Sequence, residues 1–355
     1  MEGSWRVLGL MSGSSLDGLD MCLANFTFSD SRWHFSIEKA VTQPYPKSLV
    51  NQLGGAHLAS LSQLQELDVA LGGFFADAAQ RFLADERAPD LISTHGHTVL
   101  HQPARSYTLQ IGGAHQLAAK LRLPVAYDFR SADVALGGQG APLVPVGDSL
   151  LFAEYQACLN LGGIANISFV ENERRLACDL AYCNMALNYL SNQMGAEYDA
   201  GGLLAASGKP IPQLLHQLDA WEFYSLNGPK SLGREQFESV IRPILDQSPE
   251  STEDKLHTFT MHLAHQLAMS INGLSREGAV LVTGGGAFNS FLIKELQNRC
   301  RLNIMVPDHL IISQKEALIF GFLGLLRYLR LPNVYSSVTG SKADHCAGSL
   351  IELFP

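Results

Sequence analysis

"GLMSGSSLDGLD", residues 9–20, is the stretch on which the reading of the fold turns. Its small residues Gly13, Ser14 and Ser15 are followed by Leu16, Asp17, Gly18 and Asp20, and strand-like runs flank them, "WRVLGLM" before and "LDMCLANFTF" after. Such a turn has two readings. Ser-Leu-Asp-Gly makes an ordinary hairpin. Alternatively, the N–H groups and hydroxyls of Gly13, Ser14 and Ser15 cradle phosphate oxygens, and Asp17 holds Mg²⁺ through waters, because magnesium dehydrates reluctantly. Taken alone, the turn favours the ordinary hairpin.

Outward from it, strand-like and helical runs alternate, which predicts an α/β protein. "WHFSIEKAV" reads as a third strand, and a helix is expected over Ser62–Glu86 from apolar residues at helical spacing. "DLISTH", "YTLQIG" and "PVAYDF" follow as strands. "ALGGQGAPLVP", Ala135 to Pro145, is rich in glycine and proline and reads as the crossing between two domains. The expected division is 1–135 and 136–330, with 331–355 a candidate to return to the first domain. Beyond the crossing, "ACLNLGGIANISFV" repeats the opening pattern of strand, glycine turn (Gly162, Gly163) and strand. Helices are expected near Tyr182–Met194, Pro212–Ala220 and Glu253–Arg276. In "AVLVTGGGAFNSFLIKEL" a strand leads through Gly284, Gly285 and Gly286 into a helix beginning near Asn289. Bare backbone ahead of a helix N-terminus suits an anion, although a tight strand-to-helix turn accounts for the glycines equally well.

The composition narrows the function. A chain of 355 residues, 46% hydrophobic and 17% charged, buries an ordinary globular core. Its net charge of −9 disfavours nucleic acid and acidic membrane surfaces. The N-terminus lacks the pattern of a signal peptide, and "EALIFGFLGLLRYL" reads as a buried helix rather than a membrane span. Six cysteines without a CxxC pair suggest reduced thiols and a cytoplasmic protein. There is no HExxH and no Walker motif.

The order of the parts is more telling than any one of them. A phosphate-type hairpin, a second glycine hairpin, an acid beyond it and then strand-Gly-Gly-Gly-helix is the order of the actin-like sugar-kinase fold. The chain resembles the anhydro-N-acetylmuramic acid kinase family over nearly its full length. The resemblance rests on "GLMSGSSLDGLD", "STHGHTVLHQP", "TLQIGG", "DFRSAD", "GGQGAPLVP", "LNLGGIANIS", "YDAGG", "ASGKP", "KSLGRE", "TGGGAFN" and "SVTG". It implies two actin-like (ribonuclease-H-like) α/β domains around a cleft, ATP and Mg²⁺ as cofactors, and a homodimer. It also implies a specific reaction: a bridged amino sugar from cell-wall turnover is opened by water and phosphorylated on O6.

Carried over residue by residue, the resemblance places ATP against Gly13, Ser14, Ser15, Leu16, Asp17, Gly18, Asp20, Gly162, Gly163, Gly284, Gly285, Gly286 and Asn289. The metal would sit at Asp17, and Asp179 would be the base that activates water. His95, Gly96, Arg130 and Glu316 would meet the sugar, the guanidinium pairing with its carboxylate. Each also has a plainer use: a structural histidine, a salt bridge, a glutamate offsetting a helix dipole near a helix start, or a carboxylate capping a helix from about Tyr182.

Departures from the family pattern also stand out. The family's Asp-x-Gly-Pro-Gly-Asn is here Asp179-Leu180-Ala181-Tyr182-Cys183-Asn184, so the chain behind the base must run differently. Ser14 replaces a usual threonine, Gly113 an aspartate and Asp148 a common histidine. These mark a divergent branch and keep two rival readings open: a kinase of the same fold acting on another sugar, and a nucleotide-binding module without turnover.

Overall fold

A computed structural model describes residues 2–13, 15–226, 228, 230–274 and 277–354. The chain forms two compact units, Met1–Phe152 with Gln314–Pro355, and Ala153–Ser313.

In the first unit, β1 (Gly3–Ser12) and β2 (Gly18–Ser29) form a hairpin in which Ser12 faces Leu19, and β3 (Arg32–Pro44) pairs with β2. β4 (Leu91–Gln102) runs parallel to β1, and β6 (Val125–Tyr127) parallel to β4. β5 (Tyr107–Ile111) folds back on the far half of β4, and β12 (Ser349–Ile351) closes the edge antiparallel to β6. The sheet order is therefore β12-β6-β4-β1-β2-β3. Burial follows position: β1 is buried without a break from Arg6 to Ser12, as a central strand covered on both faces must be, whereas the edge strand β3 is mostly open. Leu8, Leu10, Leu19 and Ile92 pack with Leu71 and Phe75 of helix Leu61–Phe82. Ser60 caps that helix reciprocally with Gln63. The helix stops short of the expected Glu86.

The second unit repeats the order. β7 (Ala157–Leu161), β8 (Ile164–Glu171) and β9 (Arg174–Tyr182) form an antiparallel meander. β10 (Ala279–Thr283) lies parallel to β7, and β11 (Asn303–Met305) parallel to β10. Helix Thr252–Asn272 supplies Leu256, Phe259 and Leu263 to its core. In both sheets three antiparallel strands are followed by two parallel ones, β3-β2-β1-β4-β6 and β9-β8-β7-β10-β11, which is the actin-like (ribonuclease-H-like) fold.

The division differs from the sequence expectation. The glycine-proline segment near residues 135–145 lies within the first unit, tied down by hydrogen bonds from Gly140 N to Asp133 and from Gln139 N to Thr339 O. Helix Val144–Leu151, next along the chain, presses Gly147 against Ile319, and Phe152 meets Phe35 edge-on. The chain re-enters the first unit at Gln314 rather than after residue 330.

The re-entry runs through helix His309–Tyr328, whose apolar window is 72% buried in protein. It lies almost backbone to backbone on β1: a Cβ on Gly9 would stand 2.0 Å from Ala317 O, and one on Gly321 would stand 3.3 Å from Gly9 Cα. Ser93 of β4 donates to Phe320 O at 2.5 Å beside it. All six cysteines are free thiols.

Candidate active site

Turn 13–17 is held from below. Tyr45 donates to Ser12 Oγ at 2.7 Å, and Ser12 Oγ lies 3.0 Å from His97 Nδ1, a buried chain that fixes where β1 ends. Leu16 takes a left-handed φ of 60° and packs its half-buried side chain against the core. It is thus an anchor for the turn. Gly18 is required by β3, because a Cβ there would strike Gln43 O at 2.5 Å. Gly13 is under no such demand: its φ is outside the left-handed region and the nearest atom to a Cβ is Ser15 Oγ at 3.4 Å. Ser15 donates to Asp17 Oδ1 at 2.8 Å, and the Asp17 carboxylate is exposed. Ser14 lies outside the described residues.

Behind the turn, Asp20 accepts from Thr42 Oγ1 at 2.5 Å. Burial raises its carboxyl to about 6; the Thr42 hydroxyl opposes the shift, and the charges of Asp17 and Glu316 add to it. Glu316 is solvent-accessible yet recessed, so desolvation raises its carboxyl while Arg130 and Lys315 lower it. It is not near a helix start as expected. The helix begins at His309, and Asp308 caps it by accepting from Ile311 N at 2.9 Å. Glu316 therefore sits two turns in, beyond the reach of the N-terminal dipole.

His95 and Arg130 form one assembly. His95 is buried, with Nδ1 2.9 Å from Gly96 O and Nε2 accepting from Arg130 Nε at 2.9 Å. Burial and the neighbouring guanidinium hold its pKa well below the ordinary value, so the ring is neutral with its proton on Nδ1. Arg130 also donates from Nη1 to Gly140 O at 2.6 Å. Burial lowers its pKa to about 10, still charged at neutral pH, and of a guanidinium's five N–H donors three have no partner among the described residues. Gly96 is dictated by the fold: φ is +73° and a Cβ would meet Ile111 O at 2.6 Å. In this unit the structure brings together Asp17, Asp20, Glu316, Arg130 and His95.

The second unit carries its own set. The N–H groups of Gly162 and Gly163, at the β7–β8 turn, have no acceptor among the described residues, while their carbonyls accept from Asn184 N, Cys183 N and Met185 N. Asn184 Nδ2 donates to Leu161 O at 3.0 Å and also stands next to Gly285. Gly284 has a φ of +82°, and a Cβ there would lie 2.6 Å from Asn160 Oδ1; at Gly286 it would lie 2.7 Å from Leu161 Cβ. At Gly285 the nearest atom would be 3.5 Å away. The triple glycine passes through a short 3₁₀ turn, Gly285–Phe288, before helix Ser290–Gln297. Asn289 caps that helix by accepting from Leu292 N at 3.0 Å, a structural use of its side-chain oxygen.

Asp179 lies on β9 opposite Asn166, beside a bulge at the following residue. It does not cap the next helix, which starts at Asn184 with Cys183 as its N-cap residue. Instead Asp179 N donates to Lys230 O at 2.9 Å and its Oδ2 accepts from Leu232 N at 2.8 Å, with the Ser231 hydroxyl also on the carboxylate. Desolvation outweighs these bonds and raises its pKa. "KSLGRE" thus contains the support for the Asp179 carboxylate, a role its sequence did not disclose. Beyond Asp179, Ala181 and Tyr182 continue β9, and none of residues 181–183 takes a positive φ. Tyr182 is buried, donates to Gly233 O at 2.7 Å and stacks on Trp221. The missing glycines are replaced by a strand end that plugs the core.

Two other departures have local accounts. Gly113 has φ +47° and packs so closely that a Cβ would lie 2.4 Å from Gln116 Oε1 and 2.7 Å from Gly72 Cα. Asp68 accepts from Gly112 N and Gly113 N at 2.7 and 2.9 Å, supplying a carboxylate to that turn. Asp148 forms a buried ion pair with Lys315 at 2.7 Å.

In the first unit the exposed Asp17 carboxylate is a hard oxygen donor that suits magnesium held through water, and in the second the open N–H groups of Gly162 and Gly163 suit an anion.

A family model described as anhydro-N-acetylmuramic acid kinase matches residues 5–352. The anhydro-N-acetylmuramic acid kinase of Prochlorococcus marinus (strain MIT 9313) is 36% identical over 369 residues, spanning 95% of this chain and 97% of its own. That of Shewanella denitrificans is 33% identical over 367 residues, spanning 96% of each chain. That of Synechococcus sp. (strain CC9311) is 33% identical over 378 residues, spanning 97% and 98%. With strand order, glycine turns and carboxylates in place along the same length, the chain belongs to the anhydro-N-acetylmuramic acid kinase family.

Proposed function

We propose that this chain hydrolyses the 1,6-anhydro bridge of anhydro-N-acetylmuramic acid and phosphorylates O6 with ATP, giving N-acetylmuramic acid 6-phosphate and ADP in cell-wall amino-sugar recycling. The observation that carries the reading is Asp179, a partly buried carboxylate steadied by the Leu232 N–H and the Ser231 hydroxyl, with its proton affinity raised by desolvation.

An ordinary sugar kinase needs a base for the attacking hydroxyl. O6 of an anhydro sugar is an ether and has no proton to give. The base therefore serves water. Asp179 takes a proton from it, the water oxygen bonds to C1, and the C1–O6 bond breaks. O6 then bonds to the γ-phosphorus as the bond to the β-phosphate oxygen breaks and ADP leaves. The proton passes from Asp179 to solvent. A raised pKa makes the carboxylate a stronger base for this task.

The N–H groups of Gly13, Ser15, Gly162, Gly163 and Gly285 would receive the phosphates. Asp17 would hold Mg²⁺ through water, and the ion supplies charge neutralisation on the phosphoryl group when bound. Arg130 has donors left for the lactyl carboxylate of the sugar, with His95 and Glu316 beside it. A cytoplasmic location, supported by six free thiols and the need for ATP, and a homodimer, suggested by the family resemblance, complete the proposal.

The test is turnover in ¹⁸O-water with prompt quenching. Label should appear at C1, and O6 should keep the bridge oxygen. Asp179→Asn should cut the rate by about 10²–10⁴, the usual worth of a general base, while ATP still binds. No label at C1, or a variant that opens the bridge at the parental rate, removes Asp179 from the reaction.

A further inference from the structure

Asp133, in "DFRSAD", and Thr339, in "SVTG", are motif residues to which the reaction just described gives no role. Asp133 is fully buried, so its carboxylate touches no substrate. One of its oxygens accepts from Gly140 N at 2.6 Å. The other accepts from Thr339 Oγ1 at 2.7 Å and comes within 3.7 Å of His345 Nε2. Thr339, 1% exposed, is brought in from the far end of the chain by the short helix Ser336–Thr339.

These two residues receive three successive amides. Gly138 N donates to Asp133 O at 2.8 Å, Gln139 N to Thr339 O at 2.8 Å, and Gly140 N to the Asp133 side chain. The fit admits no side chain at 138, where a Cβ would lie 2.2 Å from Asp133 Oδ2. Gly140 is therefore clamped at its nitrogen, and its carbonyl is the group that accepts from Arg130 Nη1 at 2.6 Å. Arg130 Nε is held separately by His95. A planar guanidinium fixed at two points presents its remaining donors in one orientation. Release the Gly140 carbonyl, and the plane can turn about its remaining bond.

The geometry points to Asp133 and Thr339 as positioning residues that set the Arg130 guanidinium for a carboxylate through Gly140. This rests on the proposed reading in which Arg130 pairs with the lactyl carboxylate.

Two ligands separate the effects: 1,6-anhydro-N-acetylmuramic acid, and 1,6-anhydro-N-acetylglucosamine, which has the same ring and bridge without the carboxylate. Dissociation constants are measured by calorimetry on the full chain with a non-hydrolysable ATP analogue present. Thr339→Val keeps the shape and removes the hydroxyl. It should weaken the muramic ligand roughly five- to tenfold, the scale of one hydrogen bond, and leave the glucosamine ligand unchanged. Thr339→Ser should restore parental affinity, and Asp133→Asn should fall on the side of Thr339→Val. Loss of preference in Arg130→Lys combined with parental preference in Thr339→Val and Asp133→Asn overturns the positioning role alone. Parental preference in Arg130→Lys, or none in the parent, overturns the carboxylate role of Arg130 and the positioning role with it. A lower melting temperature in Thr339→Val with both affinities reduced equally means that the hydroxyl is merely structural, and this too overturns the proposal.

Discussion

Gly163→Ala separates a turn built for folding from one built for a ligand. Gly163 keeps φ outside the left-handed region, and an added Cβ would stand 3.9 Å from its nearest neighbour, Met185 Cε, an ordinary contact. Its carbonyl is satisfied by Cys183 N and Met185 N, and both donors come from main chain that the methyl does not displace. The folded state thus has room for alanine. The unfolded chain loses freedom with it, so stability should hold or rise by about 0.4–1 kcal/mol. The N–H side is different. It has no acceptor among the described residues, and in the proposed reading a methyl beside it would crowd the phosphate oxygen that this N–H receives. Losing one charge-assisted hydrogen bond there costs about 1.5–3 kcal/mol, or roughly 10- to 150-fold in Kd. Scanning calorimetry gives the first quantity and titration with ATP and Mg²⁺ the second. A variant that melts like the parent and binds ATP with the parental Kd would refute the phosphate role of this hairpin.

The contrasting glycine is Gly284. With φ +82° and a Cβ 2.6 Å from Asn160 Oδ1 and 2.9 Å from Leu161 main chain, Gly284→Ala should destabilise the fold by about 1–3 kcal/mol. Denaturant unfolding without nucleotide checks this, and unchanged stability contradicts the packing. The pH profile tests Asp179. A general base acts deprotonated, and desolvation favours the protonated form, so the acid limb of kcat/KM should fall at a pH above the ordinary aspartate value of about 3.9. A limb at or below that value removes Asp179 as the titrating group.

Much of the architecture was legible because it is local. Glycines between strand-like runs marked both hairpins, with hydroxyls beside them in the first, and a strand, three glycines and a helix marked the third turn. Misreadings came where a local signal served a distant partner. The glycine-proline segment looked like a linker, but its amides end on Asp133 and Thr339, the latter some 200 positions along the chain. Taken without the family resemblance, Asp179 read as a helix cap, but its partner Leu232 is 53 residues away. Glu316 looked close to a helix start because "HLIISQ" is less apolar than the run "ALIFGFLGLL" just beyond it. Asp308 was a readable cap before it, and Ile311 N bonds to it. Arg130, His95 and Gly140 come from different elements, and no spacing announces their meeting.

The bare contact between β1 and helix His309–Tyr328 acts as a ruler. At Gly9 the helix main chain is so near that sliding it by one residue, a rise of about 1.5 Å and a turn of about 100°, would drive a side chain into the strand. Only one setting is open, and it fixes Ala317, hence Glu316, against the strand that runs into turn 13–17. The span from that turn to Glu316 is therefore graduated in rigid backbone, with no loop between them to stretch. Insertions in the segments around this unit should leave the span unaltered. A change of gauge would have to begin at Gly9 or Gly321.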